Sequence, residues 1–190
     1  ECTGIKDGKY IITDLNGDGE ISDDDRTYVG DAQPDLTFGW QNNFTWKNWD
    51  FSFFFRGMIG NKVLNNPRAA YANNTYLIGT NALDDELTYT MKESSRVCSY
   101  YLENGSFIRL DNLALGYTFD TKKINWLDKA RLYFAAQNLF VITGYKGLDP
   151  EVELFRGESS DTDAGLSPGI EPRQFFPKAR TFTLGVNLTF

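Results

Sequence analysis

Five stretches of the chain alternate apolar and polar residues with the two-residue period of a β-strand. Along 35–46, Leu36, Phe38, Trp40, Phe44 and Trp46 fall on one face, and Thr37, Gly39, Gln41, Asn43 and Thr45 on the other. Along 49–59, Trp49, Phe51, Phe53 and Phe55 oppose Asp50, Ser52 and Arg56, with Phe54 breaking the pattern from the second face. Along 107–119, Leu113, Leu115, Tyr117 and Phe119 oppose Asn112, Ala114, Gly116 and Thr118. In 130–143, Leu132, Phe134, Phe140 and Ile142 share a face with Asn138, opposite Arg131, Tyr133 and Gln137. The cleanest run is 180–190, where Phe182, Leu184, Val186, Leu188 and Phe190 face away from Thr181, Thr183, Gly185, Asn187 and Thr189. A slip of one residue there would turn hydroxyls and an amide onto the apolar side, so the register is strongly specified.

A soluble sandwich with one wet face would also alternate, and the connections discriminate. A tight turn at Lys47-Asn48 joins the first two strands, and a modest one around Asp120, Thr121, Lys122 and Lys123 joins the third and fourth. The other two connections, 60–106 and 144–178, are long, whereas structureless loops beyond about 12–15 residues are uncommon in compact soluble domains. Short turns at one end and long loops at the other are the outer-membrane pattern, periplasmic and extracellular respectively. The expected fold is therefore all-β, an antiparallel transmembrane β-barrel of which these are the C-terminal strands. Residues 1–34 form a leading extracellular segment, and 35–190 the strands with extracellular loops 60–106 and 144–178. The apolar register of Phe190 resembles the terminal aromatic signal read by the outer-membrane assembly machinery.

Composition agrees. Mean hydropathy is -0.42, and nowhere do about 18 apolar residues run together, so no transmembrane helix is encoded. A barrel strand needs only every second residue apolar, so a barrel averages out as polar. Aromatic residues make up 15% of the chain, as suits a lipid-facing surface with interfacial girdles. A net charge of -7 argues against nucleic acid, whose phosphates attract basic surfaces. With no histidine, His-based triads, most zinc sites and haem ligation are excluded. Cys2 and Cys98 are far apart in sequence, each among polar residues. They could pair in an oxidising compartment, but two cysteines make no framework, and two unrelated thiols is the simpler reading. The absence of an initiating Met and of a signal peptide implies a piece of a larger exported protein.

Ahead of the first strand, residues 14–25 read D-L-N-G-D-G-E-I-S-D-D-D, a D-x-[DN]-x-D-G pattern with an acid at position 12. Alternate residues of such a loop turn oxygens inward, and Ca²⁺ takes six to eight of them. The expected metal ligands are Asp14, Asn16 and Asp18 through side chains, Glu20 through its carbonyl, and Asp25 closing the shell. Gly19 would permit the turn, Ser22 would contribute directly or through water, and Ile21 would anchor the loop on a neighbouring strand. Asp25 is shorter than the Glu usual at position 12, and 8–13 reads as a strand where an EF-hand has a helix. A structural cation is expected, with an acidic turn holding no metal as the alternative.

The same loop, followed by Asp25-Arg26-Thr27, Gly30, Pro34 and Phe38-Gly39, resembles the TonB-dependent SusC/RagA family of Bacteroidetes. So do the strand 51–57 running into Gly60-Asn61, Phe107-Ile108-Arg109-Leu110 with Leu115-Gly116-Tyr117, and Ala136-Gln137-Asn138-Leu139-Phe140. Tyr145-Lys146-Gly147, Asp149-Pro150-Glu151 and a final Phe-ended strand complete the series. The resemblance spans nearly the whole chain in order, although Cys98 and 61–104 match no pattern. It implies the C-terminal part of a 22-stranded barrel of the outer membrane, with a plug and TonB box upstream and a SusD-like surface lipoprotein as lid. Such a protein imports oligosaccharides, or in some cases peptides, with energy from the TonB complex. Gln41, Asn43, Arg56, Asn112 and Gln137 could then meet substrate or merely hydrate the lumen wall. Tyr71, Tyr76, Tyr100, Tyr101, Phe155, Phe175 and Phe176 could stack on sugars or pack within the loops.

Two other classes compete. A calcium-stabilised soluble adhesion module would need polar outer faces, which the 182–190 face contradicts. A glycosidase would need paired carboxylates. Asp149 with Glu151, and Asp161 with Asp163, stand two apart in a Gly-, Ser- and Pro-rich loop, where extended chain points them in opposite directions. No catalytic residue is therefore assigned, and no enzyme is expected.

Overall fold

The computed structural model describes residues 1–73, 81–94, 96–122, 124, 126–152, 168–173 and 176–190. The chain divides into two compact units: one of Glu1–Asp35, Gly60–Ser106 and Gly144–Phe176, the other of Leu36–Ile59, Phe107–Thr143 and Pro177–Phe190. The leading segment and the two long connections thus fold together, where the sequence suggested a separate segment and two loops.

The first unit begins with a hairpin, β1 (Cys2–Lys6) and β2 (Lys9–Ile12). Asp7 and Gly8 between them both take positive φ, 54° and 81°, as a two-residue turn matching strand twist requires. Sequence reading recognised only the second strand, although Asp-Gly is itself a strong hairpin signal. β5 (Lys62–Leu64) pairs with β6 (Leu102–Asn104). Between them lie α1 (Asn66–Tyr71), α2 (Glu86–Thr90) and a 3-10 turn at Ser99–Tyr101. Both helices are capped by side chains expected at an N-terminus: Asn65 accepts from the Arg68 N–H at 3.0 Å and Asp85 from the Leu87 N–H at 3.0 Å.

Ala69, Ala72, Leu87, Met91 and Tyr101 form the buried core of this unit, with Ile5, Tyr10, Leu64, Cys98 and Tyr100 packed around it. Tyr101 is therefore a core residue and not a candidate sugar platform. Arg68 donates to Asp85 at 2.7 Å within this core's polar border. Burial alone would raise the Asp85 pKa, but Arg68 and the Leu87 N–H outweigh it and hold the carboxyl below its ordinary value.

The second unit is one antiparallel sheet in the order β3 (Leu36–Trp46), β4 (Trp49–Ile59), β7 (Phe107–Phe119), β8 (Lys129–Thr143) and β9 (Thr181–Thr189). All five strands fall where alternation put them. Neighbours in the sheet are neighbours along the chain among these five, a simple meander. The two-residue turn Lys47–Asn48 closes Trp46 against Trp49, and residues 120–128 join β7 to β8. Leu36 stands opposite Ile59, Met58 opposite Phe107, and Phe107 opposite Thr143, so the long connections all leave one end of the sheet and the short turns the other.

Candidate functional site

Register assembles the apolar halves of the five strands into one face. Across the sheet run Phe51, Leu115, Phe134 and Leu184, and beside them Trp49, Tyr117, Leu132 and Val186. Phe44 and Trp40 extend the face onto β3, Trp40 meeting Phe53 edge-on at 5.2 Å and Phe44 stacking on Phe51 at 6.2 Å. This face is exposed: Leu184 is 74% accessible and Trp40 58%. A water-facing surface of that breadth would be a liability, whereas in lipid it is what a spanning sheet must present. β3 has 11 residues, about 37 Å of path at roughly 3.4 Å per residue. A tilt of about 45° leaves ~26 Å of height, close to the ~25 Å apolar band of outer-membrane barrels.

One end of this face carries a belt of aromatic rings. Trp46, Trp49, Tyr117, Phe119, Trp126 and Phe190 all lie toward the short turns. Trp49 and Tyr117 are 4.7 Å apart, Tyr117 and Phe119 4.9 Å, and Trp126 stacks on Phe190 at 5.8 Å with planes 13° apart. Flat amphipathic rings favour the headgroup boundary. Three of the four tryptophans stand here, which marks this end as one membrane–water interface.

The opposite face is polar and partly self-satisfied. Arg131 on β8 grips Asp50 on β4 across the intervening β7, donating from Nε at 3.0 Å and Nη2 at 2.5 Å. Gly116 makes this reach possible, because a Cβ there would lie 2.4–2.5 Å from the Arg131 and Asp50 side chains. Gly185 does the same for Tyr133, whose ring covers it. Phe54, the residue that broke the alternation, fills the space above Gly39 on this polar side. Of the candidate lumen residues, Gln41, Asn43, Asn112 and Gln137 are exposed. Arg56 is engaged, its Nε donating to Asp111 at 3.1 Å.

Asp111 sits where the register shifts on both sides of β7, since Phe54 pairs with Asn112 but Phe55 with Leu110. β8 answers with Asn138 at φ 50°, a conformation that short polar side chains tolerate. That bulge overturns the expectation that Asn138 shares the apolar face. Its Oδ1 accepts from Arg109, and its Nδ2 donates to the Lys178 carbonyl at 2.7 Å. Arg109, only 1% exposed, pairs across with Arg56 on the polar side.

The acidic loop is folded around its own carboxylates. The Gly17 and Gly19 N–H groups donate to the two Asp14 oxygens at 2.6 and 2.8 Å. Asp18 accepts from the Glu20 N–H at 2.8 Å and from Asn16 Nδ2 at 2.8 Å, and Asn16 Oδ1 accepts from the Asp18 N–H at 2.9 Å. Asp25 is buried and takes the Leu15 and Ser22 N–H groups at 2.7 and 2.8 Å. The Ser22 and Leu15 N–H bonds hold the Asp25 pKa below its ordinary value. Ser22 and Asp25 together make a capping box on the 3-10 turn Asp23–Asp25, a feature legible in the S-x-x-D spacing but missed. Ile21 lies beside Ile12, the last residue of β2, and Val29 in an open cleft, and stays 51% exposed. Among the described residues no three acidic or cysteine side chains converge as a ready-made metal cluster.

Of the remaining candidates, Tyr71 and Tyr100 are partly buried and Phe176 is 90% exposed. Tyr76, Phe155, Phe175, Asp161 and Asp163 lie outside the described residues. Asp149 is buried and caps the Glu151 N–H at 2.9 Å, a turn contact and not a catalytic pair. The two cysteines, whose pairing the sequence left open, stand together: the Cys2 N–H donates to Oγ of Ser99, the residue next to Cys98, at 2.8 Å, and both thiols are free.

No protein-family model matches the chain. It is 36% identical over 197 residues to the TonB-dependent receptor P3 of Formosa agariphila, covering 96% of this chain and 19% of that receptor. It is 30% identical over 194 residues to the TonB-dependent receptor SusC of Bacteroides thetaiotaomicron, covering 95% of this chain and 17% of SusC. The chain spans about a fifth of the length of these curated relatives. Solved structures of the RagAB peptide importer also superpose. The closed-closed state gives a TM-score of 0.73 and the open-open state 0.71, each at 25% identity over 100% of this chain and 22% of that one.

Proposed function

This chain belongs to the SusC/RagA family of TonB-dependent outer-membrane β-barrel proteins, and on that premise we propose that it supplies the C-terminal strands of a nutrient importer's barrel. The observation that carries the reading is the five-stranded meander with one continuous apolar face, one polar face and an aromatic belt at the short-turn end. Its role is transport and not catalysis. The short turns face the periplasm, and Gly60–Ser106 and 144–178 face outward beneath a SusD-like lipoprotein lid. Energy comes from the TonB complex through residues outside this chain.

The substrate is an oligosaccharide: exposed Gln41, Asn43, Asn112 and Gln137 on the polar face offer neutral donors and acceptors to sugar hydroxyls. A peptide substrate is the second reading, favoured by the likeness to the RagAB peptide importer. Uptake of labelled oligosaccharides and labelled peptides by cells carrying the whole protein separates the two. TonB-dependent uptake of neither class would defeat the importer reading. Single cysteines in a background lacking Cys2 and Cys98 test the orientation, because labelling of intact cells at Lys47 but at neither long connection would invert it.

The acidic loop is a structural Ca²⁺ site. What supports this is the chemistry of the donor set: Asp14, Asn16, Asp18 and Asp25 offer side-chain oxygens and Glu20 a carbonyl, all hard ligands suited to Ca²⁺. The carboxylates keep lone pairs beyond those given to backbone N–H groups, so the residues fit the ion. Bound Ca²⁺ would neutralise mutual repulsion among them and displace the Asn16 amide from Asp18. Chelation should lower the whole protein's unfolding temperature, and restored Ca²⁺ should recover it. An unchanged temperature, with no heat of Ca²⁺ binding, would remove the site.

A further inference from the structure

Cys2 opens β1, and Cys98 immediately precedes the 3-10 turn Ser99–Tyr101. Two hydrogen bonds lock these backbones together: the Cys2 N–H donates to Ser99 Oγ at 2.8 Å, and the Ser99 hydroxyl donates to the Cys2 carbonyl at 3.2 Å. Further along the hairpin, the Lys92 N–H donates to the Gly8 carbonyl at 2.9 Å and the Tyr10 N–H to Glu93 Oε2 at 2.9 Å. The hairpin is thus pinned at both ends to the 92–99 stretch, although the two are separated in sequence by β3 and β4. Cys2 is buried and Cys98 half-buried, and both line a cleft of about 610 Å³ with Ile12, Val29 and Val97. The only thiols in the chain therefore meet inside one compact unit.

We propose that Cys2 and Cys98 form an intramolecular disulfide in the exported protein, covalently fastening the N-terminal hairpin to the Gly60–Ser106 connection. The oxidant is a protein dithiol–disulfide oxidase of the cell envelope, a compartment that permits disulfides. A thiolate of the pair attacks the oxidase disulfide, and the second thiolate displaces the oxidase from the mixed disulfide. One S–S bond forms in this chain and one breaks in the oxidase. The oxidase gains two electrons, and the two thiol protons pass to it or to solvent. Burial and the neighbouring Cys2 thiol push the Cys98 pKa up to about 12. In the folded, reduced protein Cys98 is accordingly a poor nucleophile and Cys2 is buried away from an attacking disulfide, so oxidation belongs to folding, before the cleft closes.

The bond would hold a loop of nearly a hundred residues, a length at which crosslinking strongly restricts the unfolded chain. Because it lies within the first unit, it would stiffen that unit without touching the spanning strands. It does not depend on substrate class or on the acidic loop binding metal.

The test is thiol trapping of the whole protein in outer membranes from aerobically grown cells, with alkylation before lysis and proteolysis without reductant. The expected result is a crosslinked peptide pair containing Cys2 and Cys98, about 2 Da lighter than the sum of the two reduced peptides, as the loss of two hydrogens requires. It should vanish on reduction and in cells lacking the oxidase. Cys2→Ser should leave Cys98 free after denaturation while the barrel still assembles. Recovery of both cysteines as free thiols, alkylated when the trapped protein is denatured in alkylant without reductant, would overturn the proposal, as would Cys2 or Cys98 crosslinked only to other chains. The trapping measurement uses the unaltered protein, so it decides the proposal even where a cysteine variant fails to accumulate.

Discussion

Replacing Leu184 by Arg puts a charge on the apolar face of β9, whereas Thr183→Arg puts the same side chain on the polar face. Leu184 stands opposite Phe134, which stacks on Phe182 at 6.2 Å with planes 21° apart, and the row continues through Leu115 to Phe51. Trp126 and Phe190 mark the interface at the short-turn end, so Leu184 lies inward of the belt, toward the hydrocarbon. An arginine near the midplane of a barrel's lipid face costs about 2–4 kcal/mol. That is roughly a 30- to 700-fold shift in the folding equilibrium. Thr183 faces Ala135, where a long polar side chain extends into water at a cost of about 0.5 kcal/mol or less, the range of ordinary surface changes. The assay is urea unfolding of the whole protein in lipid vesicles, read by heat-modifiable gel mobility, with the folded fraction in outer membranes as a second measure. Equal losses for the two arginines would refute the assignment of faces, and a larger loss at Thr183 would reverse it.

Two further outcomes follow from particular contacts. Gly116→Val should cost about 1–3 kcal/mol by overpacking, because its Cβ would meet the Asp50–Arg131 pair; Ala114→Val, facing Ser52 and Ala135, should cost less, and equal effects in the same unfolding assay would discount the close approach. For Asp25, a folded pKa below the ordinary carboxylate value means its contribution is present above about pH 4 and is lost on acidification through the lower folded pKa. Hydrogen exchange at the Leu15 and Ser22 amides, corrected for intrinsic rate, should show equal protection at pH 7 and pH 5 and loss well below pH 4; loss between pH 7 and pH 5 would contradict it.

The spanning strands were legible because a membrane face imposes one rule on every second residue, and side chains obey it regardless of distant partners. What alternation could not reveal was the bulge. Asp111 and Asn138 look like ordinary members of their strands, and only the register shift with Asn138's positive φ shows that the pattern changes hand there. The long connections were opaque for the opposite reason. Their core draws single residues such as Ala69, Leu87, Met91 and Tyr101 from separate short elements, so no period exists to be read. The meeting of Cys2 with Cys98 belongs to the same class: it is a tertiary event, set by Ser99 bonding the Cys2 backbone, with no local signal. At the acidic loop, spacing singled out Asp14, Asn16, Asp18 and Asp25, whose side chains take up the loop's backbone N–H groups. It did not reveal that Asp25 would spend both oxygens on the Leu15 and Ser22 N–H groups.

The sheet's edges lead to the last expectation. Among the described residues β3 and β9 each pair on one side, leaving alternate N–H and C=O groups of both strands directed outward. In water those groups are solvated, but in hydrocarbon each unsatisfied one costs several kcal/mol. Closing the sheet on itself would remove the edges, yet spanning barrels begin at about eight strands, because fewer leave no interior for the inward side chains. Five strands cannot satisfy both demands. The isolated 190-residue chain should therefore associate through β3 and β9 or aggregate in detergent, and should not give a closed monomer. The same strands within the whole protein should be protected by neighbours on both sides. Light scattering and amide exchange along β9 distinguish these states. A monomeric isolated chain with β9 amides as protected as those of β7 would show that edge satisfaction does not govern this sheet.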